Sequence, residues 1–179
     1  GLVDVPGVGT EFVSALVAQP TVYIETTIVS YLAARPSSNP IVKGYQEVTH
    51  RWWHERAKDF ELFTSLLVER EASQGDPQLA AIRMELLKEV SVLGTSPGAD
   101  ELTTLLLHGG AIPAKVPEDA AHIAIAATAG MEFLLTWNCR HLANAELWRR
   151  IDEIIRDFGC EPPVICTPTA LLGDSSDVV

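Results

Sequence analysis

The chain has few basic residues and no long apolar run. Against 24 Asp and Glu stand 13 Lys and Arg, a formal net charge of −11 over 179 residues. That balance argues against general nucleic-acid binding, which draws its affinity from clustered Lys and Arg that displace counterions from phosphates. A nucleic-acid substrate would have to be met locally. An acidic surface can suit a basic protein partner, although it more often serves solubility alone. No uninterrupted apolar stretch approaches the roughly 20 residues that cross a bilayer, so a soluble protein with no membrane partner is expected. Cysteine is scarce as well. Cys139, Cys160 and Cys166 are an odd set without the paired spacing of a zinc site or a disulfide framework, which points to a reducing cytoplasm. Internal repeats and low-complexity segments are missing.

What is present suits one domain, since 179 residues can bury one sizeable core and would be cramped with two. The opening "GLVDVPGVGTEF" is glycine-rich and aperiodic, so residues 1–20 read as a leader, either a cloning remnant or a flexible lead-in. The domain is expected over 21–173, and 174–179 read as a frayed acidic tail.

From Thr21 the pattern is regular. "TVYIETT" reads as a strand, and "IVSYLAAR" as a helix that stops before Pro36. Residues 40–59 place Val42, Tyr45, Val48 or Thr49, Trp52 and Trp53 at roughly three-to-four spacing, an amphipathic helix. "FELFTS" is a second strand, with helices at "LLVEREAS" and "DPQLAAIRMELLKE"; "VSVLG" is a third strand and "GADELTTLLLHGG" a helix. "PEDAAHIAIAATAG" is a helix with Pro117 in its first turn and Gly130 at its end. "EFLLTW" is a strand, "HLANAELWRRIDEIIRDFG" a long helix closed by Gly159, and "VICTP" a last strand. Short apolar strands alternating with helices predict an α/β fold, a three-layer α/β/α sandwich with a short, mostly parallel central sheet.

In such sheets, ligands bind beyond the carboxyl ends of the strands. That rule selects Glu25 after "TVYI", Ser65 at the end of "FELFTS", Glu71 in the helix that follows, and Asn138 after "FLLTW". Asp119, in the first turn of its helix, can face the same edge. Spacing alone does not separate Glu71 from Glu69. Converging carboxylates repel, and a divalent cation relieves them. Oxygen ligands without a Cys or His cluster favour Mg²⁺ or Mn²⁺, and the chemistry is phosphodiester hydrolysis. Each residue also has a plainer role: Glu25 pairing with Lys or Arg, Asp119 favouring the helix dipole, Asn138 capping the next helix, and His122 a satisfied core histidine. His141 and Asn144 could serve only the turn.

Taken together, "VYIETTIVSYL", "TSLLVEREASQGDP", "PEDAAHIAIAATAG" and "LLTWNCRHLANA" resemble the PIN-domain family, in particular VapC-type toxins of type II toxin–antitoxin pairs. The resemblance spans about Thr21 to Gly173, and "ETT" with "TWNCRH" looks like one subgroup. It implies a metal-dependent endoribonuclease, a VapB-like antitoxin partner, a homodimer, and an acidic quartet holding Mg²⁺ or Mn²⁺. The first acid falls at Glu25, where most of the family has Asp, with Thr26 as the supporting hydroxyl. The second falls at Glu71, because Ser65 and Gly75 match the flanking motif, with Glu69 as the backup. The third falls at Asp119. The fourth, usually an Asp after a strand ending in Thr, falls at Asn138 behind Thr136. Glu25 is one methylene longer than the usual first acid and Asn138 is uncharged, so the site holds three negative charges where the family has four. Weaker metal binding follows, and the alternative is a catalytically weak or inactive PIN-like module that binds RNA or protein. His122, His141 and Asn144 are the remaining supporting candidates.

A second candidate surface lies between Lys43 and Lys58, where Arg51, Trp52 and His54 could contact single-stranded RNA. The plainer alternative packs Trp52 and Trp53 into the core or a dimer interface. His50 and His54, four apart, lack an evident third metal ligand.

Overall fold

Strands and helices alternate along residues 18–173, which a computed structural model describes. Most of the expected leader, residues 1–17, and the expected tail, 174–179, lie outside the described residues. The strands are β1 (Thr21–Ile24), β2 (Glu61–Ser65), β3 (Ser91–Leu93), β4 (Phe133–Leu135) and β5 (Val164–Cys166). They form one sheet in the order β3-β2-β1-β4-β5, and every pairing is parallel. Parallel neighbours need crossover connections, supplied by α1 (Thr26–Ala33), α2 (Pro40–Arg51), α3 (Leu66–Ala72), α4 (Pro77–Leu87), α5 (Pro97–His108), α6 (Pro117–Thr128) and α7 (Ala145–Phe158). α1 packs on α2, α3 and α4, while α5 packs on α6 and α7, so two helical layers enclose the sheet. The expected α/β/α sandwich is the observed fold. No helix among the described residues is long and apolar enough to cross a membrane.

Burial on both faces explains the strand sequences. Val22, Tyr23, Ile24, Leu134 and Leu135 are all fully buried, so the central strands are apolar without alternation. Local signals mark most helix starts: Asn39, Ser65, Asp76, Ser96 and Asn144 each cap a first turn with a side-chain oxygen. α7 ends on Gly159 in the left-handed conformation, φ 98°.

Three elements differ from the sequence reading. α1 begins at Thr26, because Glu25 itself caps it, accepting a hydrogen bond from the Thr27 amide. α7 begins at Ala145 rather than at His141, because residues 138–143 form a tight turn in which the Leu142 and Ala143 amides donate to the Asn138 carbonyl. The helix expected over 40–59 is α-helical only to Arg51; Trp52–Arg56 widen into a π turn and Ala57–Asp59 tighten into a 3₁₀ turn. The inward face of α2 is polar at Thr49, one of the expected positions, and at Gln46, which is not among them. Gln46 and Thr49 are buried, with Gln46 bonding the Ser37 amide and the Arg35 carbonyl, while Tyr45 stays at the rim.

Candidate functional site

The sheet order fixes where a site can form. From β1 the chain runs outward to β2 and β3, then returns to the other side of β1 to add β4 and β5. The connections therefore diverge beyond the carboxyl ends of β1 and β4, the position where open α/β sheets bind ligands. Ile24 lies in register with Leu135, and the Glu25 amide donates to the Leu135 carbonyl at 3.1 Å. Glu25 and Thr136 thus leave adjacent strands side by side.

Glu25 is buried, 4% exposed. Its Oε2 accepts from the Thr27 amide at 3.1 Å, the Thr27 hydroxyl at 2.5 Å and the Thr136 hydroxyl at 2.7 Å. All three donors take one oxygen, which orients the carboxylate and leaves Oε1 without a donor among the described residues. Glu71 approaches from α3. One oxygen of Glu25, one of Glu71 and a ring nitrogen of His122 lie within 4.8 Å of one another. Glu71, not Glu69, is thus the acid in the cluster.

His122 is 1% exposed, and both ring nitrogens are engaged: Nε2 with Glu71 Oε1 at 2.8 Å, Nδ1 with the Tyr23 hydroxyl at 2.8 Å. An ionised carboxylate only accepts, so Nε2 carries a proton. Tyr23 continues the chain to Ser65 Oγ at 2.8 Å, and Ser65 Oγ also accepts the Val68 amide that starts α3. Burial pulls the Glu71 pKa up, but the hydrogen bond and charge of His122, aided by Thr26 and Arg70, hold it below the usual carboxylate value. Burial pulls His122 down; its bond to Glu71 and the charges of Glu25, Glu71 and Asp119 outweigh that and raise it. Burial drives the Tyr23 hydroxyl far above its ordinary value, so it remains a neutral donor.

Asp119 and Asn138 sit in a second, closed network. Asn138 Nδ2 donates to Asp119 Oδ1 at 3.1 Å, and His141 Nδ1 meets Asp119 Oδ2 at 2.8 Å. Asn138 Oδ1 accepts the His141 amide at 3.1 Å. This explains the amide at 138: an aspartate there could not donate to Asp119 and would set two carboxylates face to face. Thr136 joins the two networks, donating to Glu25 and accepting the Asn138 amide at 2.9 Å. Family models and curated proteins return no match to this chain.

The remaining candidates divide clearly. Thr26, expected to support Glu25, does not; Thr27 and Thr136 do. The Thr26 hydroxyl is buried at 9% exposure with no full hydrogen-bond partner, near enough to Glu71 to help lower its pKa. Ser65 supports the site through Tyr23, and Thr136 directly. Asn144 stands apart, capping α7 and donating to the Arg140 carbonyl. Trp52 is fully buried and cannot stack on RNA, so its packing reading is the correct one; Arg51 pairs with Glu55, and His54 stacks on His50 at the surface. Sequence reasoning missed Tyr23 and Thr27. Strand alternation could have found Tyr23, which shares a face with Glu25 two residues later. Beside the cluster a groove of about 430 Å³ opens between Ser65, Leu66, Arg70, Leu93 and Ala121.

Proposed function

We propose that the protein is a metal-dependent endoribonuclease of the PIN type and the toxin of a toxin–antitoxin pair. The observation that carries this reading is the convergence of Glu25, at the end of β1, and Glu71, on α3, beside the buried Thr26 hydroxyl. A buried carboxylate, a second carboxylate and a hydroxyl without a full hydrogen-bond partner among the described residues form a hard oxygen donor set that suits Mg²⁺ or Mn²⁺. Glu25 and Glu71 would hold the ion, with Thr26 available to it directly or through water. When bound, the ion supplies charge to offset the carboxylates and activates water for attack at phosphorus.

The chain's own residues do the positioning. Thr27 and Thr136 point Glu25 Oε1 outward, and His122 fixes the rotamer of Glu71. Asp119, held in place by Asn138 and His141, would add a third carboxylate through the lone pairs those bonds leave free. A VapB-like antitoxin and a homodimer belong to the same reading and rest on the motif resemblance; a cytoplasmic setting rests on the odd, unpaired set of cysteines. The test is cleavage of single-stranded and structured RNA with Mg²⁺ or Mn²⁺. The wild-type chain should cut, and Glu71→Gln should lose most of the rate. A wild-type chain that leaves every RNA of the panel intact sinks the reading.

A second reading is supported by Asn138, an uncharged amide that donates to Asp119 where the resemblance implies a fourth acid: a PIN-like module that binds without cutting. Calorimetric titration with Mn²⁺ separates the two. Heat from the wild type that Glu71→Gln abolishes supports the nuclease, and a titration without heat supports the binding module.

A further inference from the structure

An aromatic stack adjoins the acidic edge, on residues other than those the sequence marked for RNA. Trp137 lies between Thr136 and Asn138, and its amide donates to Thr27 Oγ1 at 2.8 Å, the hydroxyl that holds Glu25. Its ring is fixed by two hydrogen bonds in series: Trp137 Nε1 donates to Thr49 Oγ1 at 2.7 Å, and that hydroxyl donates to the Tyr45 carbonyl at 2.6 Å. Tyr45 stacks on the indole with centroids 4.4 Å apart and planes at 21°, and Tyr31 meets it edge-on at 6.0 Å. Trp137 is buried, whereas Tyr45 is 39% exposed. A two-layer aromatic stack with its outer ring, Tyr45, partly exposed thus stands two hydrogen bonds from Glu25.

Charge decides what such a face can hold. Duplex binding depends on many phosphate contacts, and at a net charge of −11 most Lys and Arg of this chain are already paired. Lys43, Arg51, Arg56, Lys88, Arg149, Arg150 and Arg156 all sit beside a Glu or Asp. Arg140, two residues after Asn138, is exposed and forms no ion pair among the described residues. A ligand with few phosphate contacts must draw affinity from base faces, and only an unpaired base offers one. We propose that Tyr45, backed by Trp137, is the residue that stacks an unpaired base next to the cleaved phosphate. Arg140 supplies the accompanying phosphate contact. The proposal rests on the nuclease reading for its cleaved phosphate, but the stacking is measured without cleavage.

The experiment uses the full chain carrying Glu71→Gln, to prevent cutting, and a single-stranded oligoribonucleotide with one fluorescent adenine analogue, alone or annealed to its complement. Tight binding of the single strand with quenched fluorescence is expected, and the duplex should bind more weakly. Tyr45→Ala should weaken single-strand binding roughly five- to a hundredfold, the range of one lost base stack, and abolish the quench. Tyr45→Trp should retain both. Tyr45→Leu, which keeps apolar cover over Trp137, should behave as the alanine variant, separating stacking from folding. The logarithmic salt slope should be about one, as for one or two phosphates. Single-strand binding unchanged in Tyr45→Ala and Tyr45→Leu, or a wild-type preference for duplex, overturns the proposal and leaves the face to a protein partner. Stacking that survives while the wild-type chain binds no Mn²⁺ removes the nuclease reading alone.

Discussion

Replacing Asn138 by aspartate restores the charge of an acidic quartet and tests how this site is balanced. The substitution keeps the oxygen that accepts the His141 amide and removes the donor to Asp119 Oδ1, placing two carboxylates about a hydrogen-bond length apart. Two like charges at ~4 Å repel by about 1 kcal/mol in water and about 4 kcal/mol at the effective dielectric of a protein edge. Asp119 is 16% exposed at its side chain, between those limits. Asn138→Asp should therefore cost about 1–4 kcal/mol in the absence of divalent metal, a fall in Tm on the order of 3–12 °C for a domain of this size. A bound cation neutralises the new charge, so Mn²⁺ should raise the Tm of the variant more than that of the wild type. Differential scanning fluorimetry at pH 8, with EDTA and then with a Mn²⁺ series, measures both quantities. Equal stability in EDTA would refute the electrostatic account of the amide, and equal Mn²⁺ shifts would show that position 138 does not face the ion.

Tyr23→Phe leaves His122 Nδ1 buried without a partner and should cost about 1–3 kcal/mol in urea unfolding; a loss below a few tenths would mean the Ser65, Tyr23, His122 chain is idle. Thr136→Val removes one donor to Glu25 and the acceptor of the Asn138 amide, so a similar loss is expected, with weakened Mn²⁺ binding by calorimetry. Because His122 is raised above its ordinary 6.5, its contribution is complete below that value and is lost as pH rises through the higher folded value. Glu71, lowered from its ordinary 4.5, contributes above that value and loses it as pH falls through the lower folded value. Stability in EDTA should therefore peak between about pH 4.5 and 6.5, and His122→Gln should flatten the alkaline decline; an alkaline limb unchanged in that variant would contradict the pairing. Gly109→Ala would place a methyl 2.9 Å from the Leu105 carbonyl and 2.5 Å from Ile154 Cδ1. A Tm reduced by several degrees without change in Mn²⁺ affinity is expected, making it a stability control remote from the site.

Much of the fold and part of the site are legible in the sequence, and the limits have physical causes. Helix starts could be read because a cap needs only a short-range oxygen, as at Asn39, Ser65 and Asp76. Glu25 and Asn138 could be assigned to one edge because both end apolar strands of a parallel sheet. The helical face of 40–59 is legible in part, since a 3.6 period assumes that burial follows apolarity: Trp52 is buried and Val48 and Trp53 pack against the core, but Tyr45 stays exposed. Gln46 and Thr49 are buried through hydrogen bonds, and the π turn at Trp52–Arg56 changes the helical phase that the period presumes. The RNA surface expected at Trp52 is core, and the exposed ring on α2 is Tyr45.

By itself, the sequence determined the class and order of the elements, the parallel sheet, and which polar residues sit at strand ends, because periodicity, caps and turns act within a few residues. Only the tertiary structure decided who bonds to whom. His122 joins Glu71 across 51 positions of chain, and Thr136 joins Glu25 across 111. Asp119 is claimed by Asn138 and His141, and Trp137 carries Tyr45. Such partners are chosen by strand register and by the pairing of β4 beside β1 at the switch point, and neither leaves a local mark in the chain.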